Sequence, residues 1–315
     1  MTWGHASTGP AAQTQEAGIA TPAQARYQAP GFYRFQLGNM EITVLSDGTV
    51  PQAMDQLMVA ADGQVQQLLG ERFETLPVET SMNAFVIHTG QQLLLVDAGA
   101  GTSFGPEVGN HLLRNLQAAG YRAQDIDAVL LTHVHGDHSG GLVDEQGTAI
   151  FPKALLYMAK AELAHWLSDS VKERAQPHHQ SMFATGRAAL APYLQQQRVR
   201  TFEADDVLFP GISVIASPGH TPGHSFFRVQ SAGQTLVIWG DVVHAAQVQF
   251  PAPSITIAYD TDQSAAAHMR LLAFQSAARE GYWVAAPHIS FPGIGHVRQR
   301  AGQFEWVPAS YSLAQ

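Results

Sequence analysis

Short apolar runs separated by glycine and proline dominate the pattern of the chain. Residues 32–38 and 40–46 alternate around a glycine turn and predict a β-hairpin, and residues 82–88 and 92–96 predict a second pair of strands. Short continuous apolar runs bounded by turn residues are typical of buried strands. The further strands that this pattern predicts cover residues 127–132, 154–158, 207–216, 226–229, 235–239 and 282–286, the last being the final strand of the core.

Helical spacing of apolar residues recurs between and after these strands. The strongest helical pattern begins after Asp262, a suitable cap, and stops before Gly281. Residues 168–200 read as helix and loop, with Pro177 and Pro192 breaking the helix. Helices are predicted over residues 63–69, 106–119, 159–167 and 262–279. This order predicts an α/β protein of two halves, with helices outside two packed β-sheets.

Composition limits the class of protein. The first 26 residues are rich in Ala, Gln, Gly, Thr and Pro and predict a disordered leader, which leaves residues 27–315 as a single domain. No apolar run approaches the ~20 residues that span a bilayer, and the net charge of −9 argues against nucleic acid or an anionic membrane as a partner. The chain has no cysteine, so a metal site must use nitrogen and oxygen ligands. The compartment stays undetermined.

One hexapeptide concentrates metal-binding side chains. His133, His135, Asp137 and His138 fall within six positions, directly after the predicted strand 127–132 and among several glycines. Alternate residues of a strand share a face, so the first two histidines can point at one atom. A histidine-rich surface loop is the plainer interpretation, but this spacing after a buried strand favours a site for zinc or a neighbouring first-row metal.

Three more candidate ligands follow apolar strands downstream. They are His220, Asp241 and His288. Each has an ordinary explanation when taken alone: a turn histidine, a capping aspartate and a polar strand end. Because strand ends converge on one edge of a sheet sandwich, we expect all three to reach the hexapeptide.

These motifs together resemble the metallo-β-lactamase superfamily. The matching segments read T-H-V-H-G-D-H-S-G-G, P-G-H-T-P-G-H, W-G-D and A-P-H, and the similarity extends over residues 27–312. Further segments resemble one branch, the methyl parathion hydrolases and their lactonase-like relatives. These segments are A-P-G-F-Y-R at 29–34, L-S-D-G-T at 45–49, V-Q-F at 248–250 and S-F-P-G-I-G-H at 290–296.

The resemblance implies an αββα fold with two divalent metal ions, most simply zinc, with manganese, iron or cobalt as alternatives. The implied ligands are His133, His135 and His220 for the first ion, Asp137, His138 and His288 for the second, and Asp241 as a bridge. Asp97 and His224 are implied to lie just outside the ligands and to orient them. The family also implies a homodimer.

The implied reaction is attack of a metal-bridging hydroxide on a neutral ester-type substrate, with Asp137 and Asp241 as catalytic carboxylates. No lysine lies between His220 and His288 to hold a substrate carboxylate. Lactones, aryl esters and organophosphate triesters such as methyl parathion therefore fit best. The alternatives are an N-acyl-homoserine lactonase, a mononuclear iron dioxygenase of the same fold, and a non-catalytic binding module.

Three aromatic residues are candidates for the substrate pocket. Phe104, Trp166 and Phe183 resemble, by position, the aromatic lining of the methyl parathion hydrolase pocket. Ordinary core packing is the other interpretation of each. The sequence does not rank the possible substrates.

Overall fold

Two seven-stranded β-sheets form the centre of the protein. The computed structural model describes residue 1, residues 24–105 and residues 108–312. One apolar layer lies between the sheets, and further apolar layers join the outer face of each sheet to helices. The predicted αββα sandwich is confirmed. The predicted leader falls almost entirely on residues 2–23, which lie outside the described residues.

The first sheet contains strands from residues 32–202, in the order β1-β2-β4-β5-β6-β7-β8. Its strands, with the short β3 that pairs elsewhere, are β1 (Phe32–Leu37), β2 (Met40–Gln52), β3 (Met58–Val59), β4 (Val78–His88), β5 (Leu93–Val96), β6 (Ala128–Leu130), β7 (Leu155–Ala159) and β8 (Val199–Phe202). Strands β1, β2, β4 and β5 pair antiparallel, whereas β5 to β8 run parallel.

The second sheet has the order β16-β15-β14-β12-β11-β10-β9. The strands of this half are β9 (Val207–Phe209), β10 (Ile212–Ala216), β11 (Ser225–Ser231), β12 (Gln234–Ile238), β13 (Thr256–Ile257), β14 (Trp283–Ala285), β15 (Ile294–Arg300) and β16 (Gln303–Pro308). Strand β13 pairs with β3 and not with this sheet, while β12 and β14 run parallel.

The helices lie in the connections between strands. They are α1 (Met54–Leu57), α2 (Gln64–Gly70), α3 (Leu112–Ala118), α4 (Gly136–Ser139), α5 (Lys160–Leu167), α6 (Asp169–Arg174), α7 (Pro177–Gln195), α8 (Ala246–Gln249) and α9 (Gln263–Glu280). Asp262 accepts a hydrogen bond from Ala265 at the start of α9, and Gly281 ends it in the left-handed conformation, as predicted. Among the described residues, no helix is both long and apolar enough to cross a membrane.

Alternation along the strands builds the three apolar layers. Phe85 and Leu130 of the first sheet meet Phe227 and Ile238 of the second between the sheets. Neighbours such as Val129 point the opposite way and pack under α5 and α7. Each strand near the centre therefore buries both of its faces, which is why its sequence is continuously apolar.

The carboxyl ends of the parallel strands bring the functional motifs together. Strands β5 and β6 are adjacent in the first sheet, and β12 and β14 are adjacent in the second. Asp97 follows β5 and the hexapeptide follows β6, while Asp241 and His288 follow β12 and β14. The polar site is thereby placed at one edge of the sandwich.

Several predicted boundaries were wrong. Strand β2 continues past residue 46 through a bulge to Gln52, and Pro192 lies within α7 instead of breaking it. The helix predicted over 106–119 begins only at Leu112. The strand over 282–286 is not the last, because the β15–β16 hairpin follows it.

Close backbone packing beside the site explains its glycines. A side chain at Gly141 would place its Cβ 2.0 Å from the carbonyl oxygen of Ala98, whereas Gly70 at the end of α2 has no atom within 4 Å of that position. Neither glycine requires a left-handed backbone.

We expect Gly141→Ala to lower the free energy of unfolding by roughly 3 kcal/mol or more, because the backbone must move to admit the methyl group. The control Gly70→Ala should be neutral or slightly stabilising, since alanine favours the helix. Chemical denaturation of both variants measures the difference. Equal stability of Gly141→Ala and the parent protein would contradict the packing.

Candidate metal centre

The histidine-aspartate motif occupies the loop after β6 and the first turn of α4. Strand β6 ends at Leu130, two residues earlier than predicted, so His133 lies in the loop. His135 is extended and directly precedes α4, which places Asp137 and His138 in the first turn of that helix. A change from extended to helical backbone thus turns the four side chains toward one point.

Three imidazoles and one carboxylate form a first group of donors. The Nδ1 atom of His135 lies 3.0 Å from Nε2 of His133 and 3.0 Å from Nε2 of His220. Oδ2 of Asp241 lies 3.2 Å from Nε2 of His220 and 3.7 Å from Nε2 of His133. All four residues are buried, and their donor atoms lie within 4.8 Å of one another.

A second group shares the same aspartate. Oδ1 of Asp241 lies 3.1 Å from Nε2 of His138, and Oδ2 lies 3.2 Å from Nε2 of His288. Oδ2 of Asp137 is 3.5 Å from Nε2 of His138 and 3.3 Å from Nε2 of His288. The structure therefore brings together all seven candidate ligands predicted from the sequence, in two groups with Asp241 common to both.

Hydrogen bonds on the outward side fix which ring nitrogen faces the centre. Nδ1 of His288 donates to the carbonyl oxygen of Ser81 at 2.8 Å, and Nδ1 of His220 donates to Oδ1 of Asp260 at 2.9 Å. A carbonyl or carboxylate oxygen only accepts, so the Nδ1 atoms carry the protons. The Nε2 lone pairs are then directed inward, as metal ligation requires.

Asp97 orients the ring of His138 in the same way. Its Oδ2 accepts from Nδ1 of His138 at 2.8 Å, and its Oδ1 accepts from the backbone N–H of Thr132 at 2.9 Å. Asp97 has a left-handed backbone with φ of 59°, which is unfavourable for a residue other than glycine. The strained turn directs the carboxylate toward the ligand histidine.

His224 contacts the backbone of the shared aspartate and not the centre itself. Its Nδ1 donates to the carbonyl oxygen of Ser217 at 2.9 Å, and its Nε2 accepts from the backbone N–H of Asp241 at 2.9 Å. Both ring nitrogens are therefore used. His224 fixes the position of Asp241 from behind.

Sequence reasoning missed Glu162, a fully buried carboxylate in α5. Its Oε1 accepts from the backbone N–H of Val134 at 2.9 Å and from Nε1 of Trp166 at 2.6 Å. Its Oε2 accepts from Oγ1 of Thr221 at 2.7 Å and from the backbone N–H of Gly223 at 3.0 Å. Glu162 thus joins the loop of His133 to the loop of His220. A single acidic residue within a helical pattern gives no indication of this role.

Asp260 and His244 were missed as well. Asp260 holds His220, as described above, and is itself buried. His244 is buried three residues after Asp241, with its Nε2 3.2 Å from Oδ2 of that aspartate. The sequence could have indicated His244, because the segment G-D-V-V-H places it three residues after a candidate ligand.

The shared carboxylate raises the pKa of histidines around it. Burial alone would lower the pKa of His220, but hydrogen bonds to Asp241 and Asp260 raise it to about 9. Burial likewise opposes charge on His288, yet Asp241 and Asp137 raise its pKa to about 10. The pKa of His138 is raised well above its usual value, against burial, by the same two carboxylates.

The two carboxylates are ionised because the histidines beside them lower their pKa values. Burial would raise the pKa of Asp241, but the surrounding histidines, His138 first, hold it well below the usual range. His138 does the same for the pKa of Asp137. Burial and neighbouring imidazoles lower the pKa of His133 and His135 well below normal, so both are neutral.

The donor set fits divalent cations. Nε2 of His138 and Oδ1 of Asp241 are buried and make no hydrogen bond within the described residues, although they lie 3.1 Å apart. Buried polar atoms without partners are costly, so two such atoms at this distance are suited to sharing a cation. Imidazole nitrogen and carboxylate oxygen are donors that zinc and neighbouring first-row metals accept.

A cavity of about 350 Å³ opens over the second group. Asp137, Asp241, His244 and His288 form its floor. Its walls include Gln52, Met54, Thr80, Ser103, Phe104, Met182, Ile257 and Tyr259. No lysine or arginine occurs among the described residues that line it. Its lining is therefore suited to an uncharged molecule.

The three predicted pocket aromatics divide between two cavities. Phe104, which is 44% exposed, lies at the wall of the first cavity. Trp166 and Phe183 are buried and line a neighbouring cavity of about 440 Å³. The Trp166 ring packs edge-on against His135, 5.5 Å between centroids, and His135 borders both cavities. Trp166 therefore contacts a candidate ligand directly, Phe104 lines the cavity over the second group, and Phe183 packs on Trp166.

Two solved structures resemble the whole described fold. The hydrolase AbOPH of the beta lactamase superfamily is 35% identical, with a TM-score of 0.86 over 91% of this chain and 100% of that chain. AidC, a dizinc quorum-quenching lactonase solved with its product, is 27% identical, with a TM-score of 0.83 over 90% of this chain and 98% of its own.

Curated relatives match over shorter stretches. A probable metallo-hydrolase of Mycobacterium tuberculosis is 26% identical over 193 residues, which are 52% of this chain and 60% of the relative. An N-acyl homoserine lactonase of Bacillus cereus is 25% identical over 123 residues, which are 39% of this chain and 40% of the relative. The chain thus spans three-fifths or less of the length of these two relatives.

The family itself is shown by the extent of the match. The sequence pattern of the metallo-beta-lactamase superfamily covers residues 79–279, which is more than half of the chain. This segment contains the hexapeptide, His220 and Asp241, and the αββα sandwich places them together with His288. The chain belongs to the metallo-beta-lactamase superfamily.

Proposed function

We propose that this protein is a dinuclear metal-dependent hydrolase of neutral esters, with lactones as the first substrate class. Aryl esters and organophosphate triesters are the further classes that the same chemistry can accept. The observation that carries the proposal is the convergence of seven nitrogen and oxygen donors in two groups that share Asp241. A centre that holds two cations at one carboxylate is suited to hydrolysis.

The proposed ligands are the seven residues that the structure brings together. His133, His135 and His220 would hold one cation, Asp137, His138 and His288 the other, and Asp241 would bridge the two. When bound, the cations supply an acidic water and a polarised substrate oxygen. Zinc is the simplest choice for this donor set.

Asp137 is the carboxylate best placed to transfer protons. Its side chain is 17% exposed at the cavity, whereas that of Asp241 is 4% exposed. The neighbouring histidines hold the pKa of Asp137 well below its usual range, so this carboxylate is ionised. Because it is also the carboxylate more exposed to the cavity, water can transfer a proton to it there. Returning that proton to the leaving oxygen completes the hydrolysis of an ester to an acid and an alcohol.

The cavity and the relatives support an uncharged carboxylic ester as substrate. Away from the aspartates and histidines of its floor, the first cavity is lined largely by apolar side chains and hydroxyl groups, and no lysine or arginine occurs among its described lining residues. AidC and the similar enzyme of Bacillus cereus are lactonases. Together these observations favour lactones over anionic substrates.

A mononuclear iron dioxygenase is the weaker candidate. It would need one metal with open positions, whereas here three donors surround Asp241 on one side and three further donors meet it on the other. A binding module without activity would not need this complete donor set.

Replacing the shared aspartate tests the metal centre. We expect Asp241→Asn to lower kcat/KM by more than about 100-fold and to reduce the bound metal, because both cations lose a charged ligand. Circular dichroism should show a preserved fold, and the exposed control Asp62→Asn should retain metal and activity. Full turnover by metal-depleted Asp241→Asn protein would refute the proposed centre.

A comparison of substrates tests the substrate class. We expect the zinc-loaded protein to hydrolyse dihydrocoumarin, an acyl-homoserine lactone or both with a higher kcat/KM than methyl parathion, with a nitrophenyl ester as reference. The reason is that the cavity combines a neutral lining with polarising cations, which suits a carbonyl centre. Absence of turnover on all four compounds, with two metal ions bound, would reject the proposed ester hydrolysis.

Metal loading should release protons. In the metal-free protein at pH 7, His220 and His288 are protonated because their pKa values are raised to about 9 and about 10. A metal ligand must be unprotonated, so apparent metal affinity should rise with pH up to that range.

Calorimetric titration with zinc in two buffers of different ionisation enthalpy measures this release. We expect about two protons or more per chain at pH 7. Asp241→Asn should release fewer, since the carboxylate that raises the histidine pKa values is gone. Equal apparent enthalpies in the two buffers would show that no protons leave.

A further inference from the structure

His244 is a buried histidine beside the metal centre for which the proposed ligand set has no place. Its backbone N–H donates to Oε1 of Gln249 at 2.7 Å, and Nε2 of Gln249 donates to the carbonyl oxygen of Ile255 at 3.1 Å. These bonds fix the loop between Asp241 and α8. The backbone of His244 is therefore held in place independently of what its ring contacts.

The ring lies among the ligands at the floor of the first cavity. It stacks on His288 at 5.4 Å with an interplanar angle of 20°, and its centroid lies 5.0 Å from that of His220. The side chain is buried, yet neither ring nitrogen makes a hydrogen bond within the described residues. The ligand histidines His220 and His288, in contrast, each have an outward acceptor.

One polar atom lies close to the ring of His244. Oδ2 of Asp241 is 3.2 Å from Nε2, within hydrogen-bond distance but off the N–H axis. A buried imidazole without a partner is costly, and a small rotation of the ring or carboxylate would complete this bond. An ionised carboxylate only accepts, so it selects the tautomer with the proton on Nε2.

His244 belongs to neither of the two groups of donors. The two groups of donors that lie within 4.8 Å of one another include His220 and His288 but not His244. A nitrogen that carries a proton has no lone pair for a metal. The geometry therefore favours contact with the carboxylate over direct ligation.

We infer that His244 is a positioning residue that donates Nε2–H to Asp241 and holds this carboxylate in its bridging orientation. The inference rests on the dinuclear centre of the proposed function. His224 fixes the backbone of Asp241, and His244 fixes its side chain. Loss of such a supporting partner typically weakens metal affinity by about 10–100-fold.

Two amide variants differ in reach and test the inference. In His244→Gln the amide nitrogen can occupy the place of Nε2, whereas in His244→Asn it reaches only the place of Nδ1. Both keep a polar, uncharged side chain. The exposed His268→Asn serves as the control for loss of a histidine.

The measurement is zinc affinity by competition with a chromophoric chelator, with circular dichroism to establish folding. We expect His244→Asn to weaken the affinity by about 10-fold or more, and His244→Gln to stay within about threefold of the parent protein. The visible spectrum of the cobalt-loaded His244→Gln protein should match that of the parent, because no ligand is lost.

Two results would overturn the inference. One is parent-like zinc affinity in His244→Asn. The other is a His244→Gln protein that binds as weakly as His244→Asn with an altered cobalt spectrum, because that would identify the imidazole as a ligand. A parent protein that binds fewer than two ions would instead refute the proposed centre itself.

Discussion

One buried carboxylate must face imidazoles from both halves of the fold, and the arrangement of the site depends on this constraint. Oδ2 of Asp241 lies 3.2 Å from Nε2 atoms of His220 and His288, while Oδ1 lies 3.1 Å from His138. Without cations, protons on these histidines balance the charge, which is why their pKa values are raised. Divalent cations would replace those protons, and the shared carboxylate would keep its position between the two groups.

Hydrogen bonds join the two halves of the fold at the strand ends, beside the candidate ligands. Glu162 connects the loop of His133 to that of His220, as described above. Nδ2 of Asn83 in β4 donates to the carbonyl oxygen of Ile289 at 2.8 Å, which ties the loop of His288 to the first sheet. Because each connection crosses between sheets, a shift of one sheet would displace ligands of both groups. The sandwich is thus a rigid support for the site.

The convergence of the seven candidate ligands could be predicted because histidine and aspartate at strand ends are chemically unusual and their motif is dense. Glu162 and Asp260 could not, since each acts through residues about 30 to 60 positions away and looks like an ordinary acid in its own segment. The β15–β16 hairpin was missed because exposed arginines such as Arg298 interrupt its apolar alternation at the edge of the sheet. The break predicted at Pro192 was wrong because the tertiary packing of α7 outweighs the loss of one helical hydrogen bond at the proline.

In the proposed hydrolase, the cavity wall would determine the choice of substrate more than the metal ligands would. Hydrolysis turns a neutral ester into an acid that is ionised at neutral pH. The first cavity offers that anion no arginine or lysine among its described lining residues, whereas Arg174 borders the neighbouring one. In the proposed hydrolase, contacts with wall residues such as Met54, Phe104 and Ile257 would then supply the side-chain affinity for the substrate. Since one methylene group is worth only about 1–3 kcal/mol, a few wall residues can reorder substrates above an unchanged centre.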